Sequence, residues 1–265
     1  MASVICCELA PAIGELEVNL DLASEAIGSA ARAGADVIVL PELVTSGYCF
    51  ESLQEVRSVS IGAGHPVFAR WAQMAAAAVV VLGFAELGED GALYNSAALI
   101  DSSGLRAVYR KTHLWDAETL WFCPGTEPSP VVVTAVGRIA MMICYDLEFP
   151  EMTRAVALKG ADLLTVPTNW PFVARPDGLP APEVVIAMAA ARVNRMPIAC
   201  CDRCGIERGQ RWNESTTIVG ADGWPLATAN SSRTAIADVD LVAARDKQIS
   251  ARNNVLTDRR PDVYR

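Results

Sequence analysis

Three apolar runs of this chain each end on a side chain that can react. Arg138-Ile139-Ala140-Met141-Met142-Ile143 leads into Cys144, and a helix-compatible stretch, Tyr145-Asp146-Leu147-Glu148-Phe149-Pro150-Glu151, follows it. Val37-Ile38-Val39-Leu40-Pro41 leads into Glu42, and Ala107-Val108-Tyr109-Arg110 leads into Lys111. A side chain at a strand end is held rigidly yet faces a cleft, which is where chemistry tends to sit. A thiol with an ordinary pKa of about 8.5 is mostly protonated at neutral pH, so it needs a base or a cation beside it. A glutamate can take that proton if a lysine stabilises the charged state, and the lysine can also donate to an oxyanion on a substrate carbonyl. Singly, Glu42 and Lys111 read as surface charges and Cys144 as a core cysteine. Only the three contexts together point to a nucleophile with its base and its cation.

Other chemistries lack their parts. Cys201-Asp-Arg-Cys204 is a lone C-x-x-C with no second pair and no nearby histidine, so a four-ligand zinc site is not expected. His65 and His113 are too few for a histidine-rich metal centre, and neither sits in a recognisable Cys–His pairing with Cys144. There is no G-x-S-x-G elbow, no G-x-x-x-x-G-K-[ST], and Gly62-Ala-Gly64 lacks the third glycine of a dinucleotide loop. No metal and no cofactor is expected.

The 265 residues are 52% apolar and 20% charged, enough to bury a large core in one α/β or layered domain. A net charge of −9 with no Lys/Arg cluster argues against nucleic acid, since counterion release from phosphates needs such a cluster. No basic segment precedes an apolar one at the N-terminus. The longest apolar stretch, near Ala75–Ala85, is shorter than the roughly 18 to 20 residues that cross a bilayer. The expectation is a cytoplasmic protein without a membrane partner, its eight cysteines mostly reduced and buried.

The elements that must hold the reactive ends can be read from periodicity. Strand-like runs recur at Val4–Cys7, Val37–Leu40, Val79–Phe84, Ser96–Ile100, Ala107–Arg110, Val131–Thr134, Ile139–Cys144, Leu163–Pro167, Ile198–Cys201, Thr216–Val219 and Ala235–Val239. Helical spacing marks Leu16–Ala33, Pro66–Ala78, Phe149–Lys159 and Glu183–Asn194. Ala35-Asp36-Val37…Pro41-Glu42 and Ala161-Asp162-Leu163…Pro167-Thr168 look alike, each after a helix ending near Gly34 or Gly160. That hints at a duplicated α/β half, giving two packed sheets with helices outside. No linker divides the chain, so residues 1–265 are expected to form one domain. The polar segment 245–265 is expected either to dock as an arm on a partner subunit or to fray.

With these motifs in view, the chain resembles the nitrilase superfamily of carbon–nitrogen hydrolases, whose members share a Glu-Lys-Cys triad. Leu40-Pro41-Glu42-Leu43 with Gly47-Tyr48 looks like the glutamate motif, and Tyr109-Arg110-Lys111-Thr112-His113-Leu114 like the lysine motif. Ile143-Cys144-Tyr145-Asp146 with Phe149-Pro150-Glu151 looks like the nucleophile motif. Phe122-Cys123-Pro124-Gly125, Pro167-Thr168-Asn169-Trp170-Pro171 and Gly220-Ala-Asp-Gly223 also fit in order. The resemblance covers nearly the whole chain. It implies a four-layer α-β-β-α sandwich that pairs at least as a homodimer. It also implies a second glutamate between the lysine and the Pro-Gly turn, which falls on Glu118 and helps to orient substrate or lysine. Glu148 and Glu151 read as structural, and Arg154 is expected to pair with a nearby carboxylate.

The reaction so implied is hydrolysis of a small amide through a thioester on Cys144, with Glu42 as base and Lys111 and the Tyr145 N–H as oxyanion donors. Trp115, Trp121, Trp170, Phe172 and Arg175 lie in loops that the resemblance places at the pocket, with Asn169 beside them. N-carbamoyl hydrolysis and nitrile hydrolysis use the same triad and stay open. An amidase is favoured over a nitrilase, because true nitrilases usually carry tryptophan directly after the nucleophile and Tyr145 stands there. A non-catalytic scaffold relative is disfavoured, since all three triad members are present.

Overall fold

The computed structural model describes residues 1–264. The first half of the chain forms β1 (Ala2–Cys7), α1 (Leu16–Arg32), β2 (Val37–Val39), α2 (Leu53–Val59) and α3 (Val67–Ala75). It continues with β3 (Val79–Leu87), β4 (Leu93–Asp101), β5 (Gly104–Arg110) and the single turn α4 (Glu118–Trp121). The second half opens with β6 (Val131–Val133), β7 (Arg138–Met141), a 3-10 turn over Cys144–Glu148, α5 (Pro150–Leu158) and β8 (Leu163–Pro167). After α6 (Pro182–Asn194) and β9 (Ile198–Cys201) comes a short ribbon, β10 (Ile206–Glu207) with β11 (Gln210–Arg211). Then follow β12 (Thr217–Val219), β13 (Pro225–Thr228), β14 (Thr234–Val239), and a second ribbon of β15 (Gln248–Ser250) and β16 (Asn253–Asn254).

Two six-stranded sheets result, in the orders β14-β1-β2-β3-β4-β5 and β6-β7-β8-β9-β12-β13. Read in those orders, the pairings have the same sense at every step: antiparallel, parallel, parallel, antiparallel, antiparallel. The duplication suggested by the sequence is therefore a duplication of sheet topology. Side chains alternate along the strands and sort themselves between two cores. Ile5, Cys7, Ile38, Leu40, Val80 and Leu82 pack with Ile27 and Leu20 of α1 and with Phe68 and Trp71 of α3. Their neighbours Val4, Cys6, Val37, Val39, Val79 and Val81 join the strands of the other sheet, whose far side is covered by α5 and α6. The architecture is the expected α-β-β-α sandwich.

The departures from the sequence reading are local. β7 stops at Met141 rather than Cys144, because the chain turns there into the 3-10 segment. The short elements α2, α4, β10, β11, β13, β15 and β16 are not among those the periodicity marks. Among the described residues Arg154 meets no carboxylate: its guanidinium donates to the carbonyls of Val193 (2.9 Å), at the C-terminal end of α6, and Val255 (3.0 Å). That contact also ties the tail to its own chain. Arg245 pairs with Asp162, Lys247 donates to the Arg195 carbonyl, and Leu256 packs against the core, so residues 245–256 touch the body of their own chain. Among the described residues, no helix is long and apolar enough to cross a membrane.

Candidate active site

Glu42 leaves β2 through Pro41, at a point where the backbone of β3 approaches unusually closely. The Gly83 N–H donates to the Pro41 carbonyl (3.0 Å), and the Val44 N–H donates to the Gly83 carbonyl (2.9 Å). A Cβ at position 83 would stand 2.5 Å from the Glu42 Cα, so only glycine lets the strands close here. The Glu42 side chain is fully buried. Its Oε1 accepts from Lys111 Nζ (2.7 Å) and from Asn95 Nδ2 (2.7 Å), while its Oε2 has no hydrogen-bond partner. A buried carboxylate oxygen without a donor is costly, and it is the state expected of an oxygen that must receive a proton.

Lys111 begins where β5 ends. Its N–H donates to the Asn95 carbonyl, and its own carbonyl accepts from the Gly125 N–H of the Pro124-Gly125 turn, each at 2.8 Å. Its ammonium bridges two carboxylates, Glu42 Oε1 and Glu118 Oε1, both at 2.7 Å. Glu118 opens α4; its Oε1 also accepts from the Tyr48 hydroxyl (2.6 Å) and its Oε2 from the Trp115 N–H (3.2 Å). The two glutamates foreseen by resemblance are thus joined through one buried ammonium.

Cys144 starts the 3-10 turn with φ +45°, a left-handed backbone that a non-glycine residue adopts only when its surroundings impose it. Asp146 supplies that constraint. Its carboxylate accepts from the Ile143 N–H (3.3 Å), the Tyr109 hydroxyl (2.8 Å) and the His113 N–H (3.0 Å), and lies 2.8 Å from His113 Nδ1. Tyr109 and His113 flank Lys111, so one buried carboxylate registers the lysine segment against the nucleophile turn. The His113 ring stacks on Phe149 at 3.6 Å.

The electrostatics follow from burial of four ionisable groups together. Burial pushes the Glu42 carboxyl up to about 7; Lys111 pulls it back and Glu118 adds to the rise. Burial lowers the Lys111 pKa, but Glu118 and Glu42 outweigh that and hold the ammonium charged well above its ordinary range. Burial, reinforced by the Glu42 charge, pushes the Cys144 thiol well above its ordinary value, against the opposing pull of Lys111 and the Asn169 N–H. The resting cysteine is a neutral thiol beside a base rather than a standing thiolate.

A cleft of about 310 Å³ reaches this cluster at Glu118 and Tyr48. Its aromatic walls are Phe50, Trp115, Trp121 and Trp212, and Trp115 meets the Tyr145 ring edge-on at 4.9 Å. Trp170 is buried in the same apolar cluster as Cys144, its backbone N–H donating to Asp202 Oδ1 (2.9 Å), while Trp212 occupies the cleft wall. Asn169 is buried, and its Nδ2 donates to the Glu42 carbonyl (3.0 Å). Arg175 is exposed and donates to Asn213 Oδ1 (3.0 Å). Sequence reasoning did not single out Asn95, Asp146 or Trp212, and gave Tyr48 no role; the one signal for Tyr48 was its place in the Gly47-Tyr48 motif. Among the described residues no group of three or more His, Cys, Asp or Glu side chains has a metal-holding arrangement, and Cys201 Sγ instead donates to the Cys7 carbonyl (3.2 Å).

The chain is similar to known proteins over most of its length. The family model for carbon–nitrogen hydrolases matches residues 4–248. A nitrilase of Pyrococcus abyssi is 32% identical over 269 residues, covering 100% of this chain and 99% of its own. An N-carbamoylputrescine amidase of Solanum tuberosum is 31% identical over 273 residues, covering 95% of this chain and 90% of its own. An amidase from Nesterenkonia sp. AN1, solved with acrylamide added to its active-site cysteine, superposes with a TM-score of 0.81 at 25% identity, over 100% of this chain and 98% of that one. In another structure of that amidase (TM-score 0.79, 25% identity, covering 99% and 95%) the acetamide moiety of fluoroacetamide is bonded to the same cysteine. The chain belongs to the carbon–nitrogen hydrolase family.

Proposed function

We propose that the protein hydrolyses a small linear amide, with Glu42, Lys111 and Cys144 as catalytic residues and Glu118 holding the lysine. The observation that carries this reading is the free Glu42 Oε2, the one carboxylate oxygen of the cluster with neither a donor nor a cation on it. Glu42 takes the Cys144 proton as the sulfur attacks the carbonyl carbon. The C=O π pair moves to oxygen, where the Lys111 ammonium stabilises it together with the Tyr145 N–H, which lies in the first turn of a helix and lacks an intrahelical acceptor. Glu42 returns the proton to nitrogen, the C–N bond breaks, and ammonia or an amine leaves a thioester. Water, deprotonated by Glu42, attacks the thioester and releases the carboxylic acid and the thiol.

In both Nesterenkonia adducts the active-site cysteine is bonded to an amide-bearing carbon chain, which supports a nucleophile at the corresponding Cys144. The plant N-carbamoylputrescine amidases, at 29–31% identity, favour an N-carbamoyl compound as the second reading. Ammonia release over a panel of simple amides, carbamoyl amines and nitriles, with intact-mass detection of the thioester, separates these. Full amide turnover by Cys144→Ala sinks the assignment, and silence across the whole panel favours a scaffold role.

We also propose that two copies associate through α5 and α6. Leu158, Val185 and Val193 stand about half exposed on these helices, an apolar set on the outer layer. A dimer in light scattering that a Val185→Glu/Val193→Glu variant dissociates is the expected result; a wild-type monomer refutes it.

A further inference from the structure

The Lys111 bridge ends in a hydroxyl, Tyr48 on Glu118, and the position of that hydroxyl is set from the other half of the molecule. Tyr48 sits in the loop after Glu42 and spans no regular element. Its N–H and that of Cys49 both donate to Glu207 Oε2, at 2.8 and 2.6 Å. Glu207, on β10, is buried, and its other oxygen lies 2.9 Å from the guanidinium of Arg203, which is itself almost fully buried. Arg203 donates to the Pro11 carbonyl (3.2 Å) and lies over the Trp212 ring (4.6 Å), whose plane meets Tyr48 edge-on at 5.5 Å. Gly47 makes the fit possible: its φ is +79°, and a Cβ there would come within 2.8 Å of Glu207 Oε1 and 2.7 Å of the Ile13 backbone.

Burying a carboxylate and a guanidinium costs several kcal/mol per ion unless the geometry repays it. A loop that needed anchoring alone could be held by neutral backbone bonds. Here a charged acceptor grips two successive amides directly beneath the tyrosine whose hydroxyl touches the catalytic cluster. We propose that Glu207, held by Arg203, is a positioning residue for the reaction: it fixes Tyr48 on Glu118 and so sets where the Lys111 ammonium stands relative to Glu42 and Cys144. The proposal rests on the amidase reading of the site, and it assigns to the second half of the chain a hold on the first-half end of the Glu–Lys relay.

The test is a double-mutant cycle of Glu207→Gln with Tyr48→Phe in the full-length protein. Glutamine keeps the size and one acceptor oxygen, and circular dichroism checks that each variant is folded. Misplacement of a catalytic group by about 1 Å is expected to lower kcat up to about 10²-fold with little change in KM. If Glu207 acts through Tyr48, the double variant is no slower than Tyr48→Phe alone, within about twofold. The same cycle is read without substrate from the rate at which iodoacetamide alkylates Cys144, followed by peptide mass. No ammonia from the wild-type protein refutes the amidase reading, and alkylation then still decides the role of Glu207. An unchanged kcat and alkylation rate, or losses that multiply in the double variant, overturns the positioning role and leaves a structural anchor.

Discussion

The two halves of the molecule start their central strands identically and end them differently. In the first half the Ala35 N–H donates to the Ala30 carbonyl (3.1 Å) as α1 ends; Asp36 then donates to the Ser3 carbonyl and accepts the Ser3 N–H, each at 2.8 Å. In the second half the Ala161 N–H donates to the Val156 carbonyl (3.1 Å) as α5 ends. Asp162 donates to the Arg138 carbonyl (2.7 Å) and accepts the Arg138 N–H (2.9 Å). At the far ends the repeat breaks. Pro41 leads to Glu42, whereas Pro167 leads to Thr168, and the two meet across the seam through the Glu42 N–H and the Thr168 carbonyl at 3.5 Å. β1 runs on to Cys7, paired with β14 along its length and with β2 from Val4 to Cys6, whereas β7 stops at Met141 and turns into Cys144. The duplicated ends are scaffold, and the chemistry sits where the copies diverge.

The sharpest way to break that contrast is to exchange roles at matched positions. Glu42→Gln removes the base and is expected to lower kcat about 10²–10⁴-fold in a continuous ammonia assay. Thr168→Val, at the equivalent strand end, is expected to stay within about threefold of wild type. Its hydroxyl reaches only Asp202, at 3.4 Å, and its loss touches stability by about 1 kcal/mol. A Thr168→Val loss as large as that of Glu42→Gln contradicts the division between scaffold and site. Lys111→Met comes next. One lost oxyanion donor is expected to cost about 10²–10³-fold in kcat. It also leaves Glu42 and Glu118 facing each other without their shared cation, so thermal stability falls as well.

How far this was readable from sequence follows the same line. The helix–Gly–Ala–Asp–strand repeat is legible because each copy is local: glycine, helix end and strand start lie within a few residues. Glu42, Lys111, Cys144 and Glu118 were legible as motif members, and the structure brings their side chains into one buried cluster. Asn95 carries no signal in the sequence, and Tyr48 and Asp146 stand in motifs without a readable role, because their partners are 53, 70 and 37 residues away and a lone Asn, Tyr or Asp has no periodicity. Trp170, read from its loop as a pocket wall, is buried in one cluster with Cys144, its backbone held by the Asp202 carboxylate. Nothing in the residue types announces the positive φ of Cys144, which sits beside the contacts that Asp146 makes to the distant lysine segment.

A milder probe of the site half is pH. Glu42 acts as a base only when ionised, and burial holds its carboxyl up to about 7. The expected profile of kcat/KM rises about tenfold per pH unit below 7 and levels above it. A limb near the ordinary carboxylate value of about 4 means that Glu42 is not the group being titrated.

The smallest expected effect is at the scaffold end, where the two aspartates are alike in backbone contacts but not in charge. Asp162 also faces Arg245 and Arg138; burial opposes ionisation there, yet these guanidiniums hold its carboxyl below the usual range. A depressed folded-state pKa contributes stability that is present above the unfolded value of about 4 and is lost as pH falls through the folded one. Both arginines are more than a third exposed, so screening limits the gain. Asp162→Asn is therefore expected to cost about 1–3 kcal/mol at pH 8, read from the urea midpoint, and less at pH 3.5. Asp36 has no arginine partner among the described residues, and Asp36→Asn is expected to cost roughly 1 kcal/mol. Neither variant is expected to change kcat by more than about twofold, since each lies at the strand end opposite the cluster. An Asp162→Asn protein of normal stability but tenfold lower kcat places chemistry at the scaffold end, and the contrast between the two ends of the repeat fails.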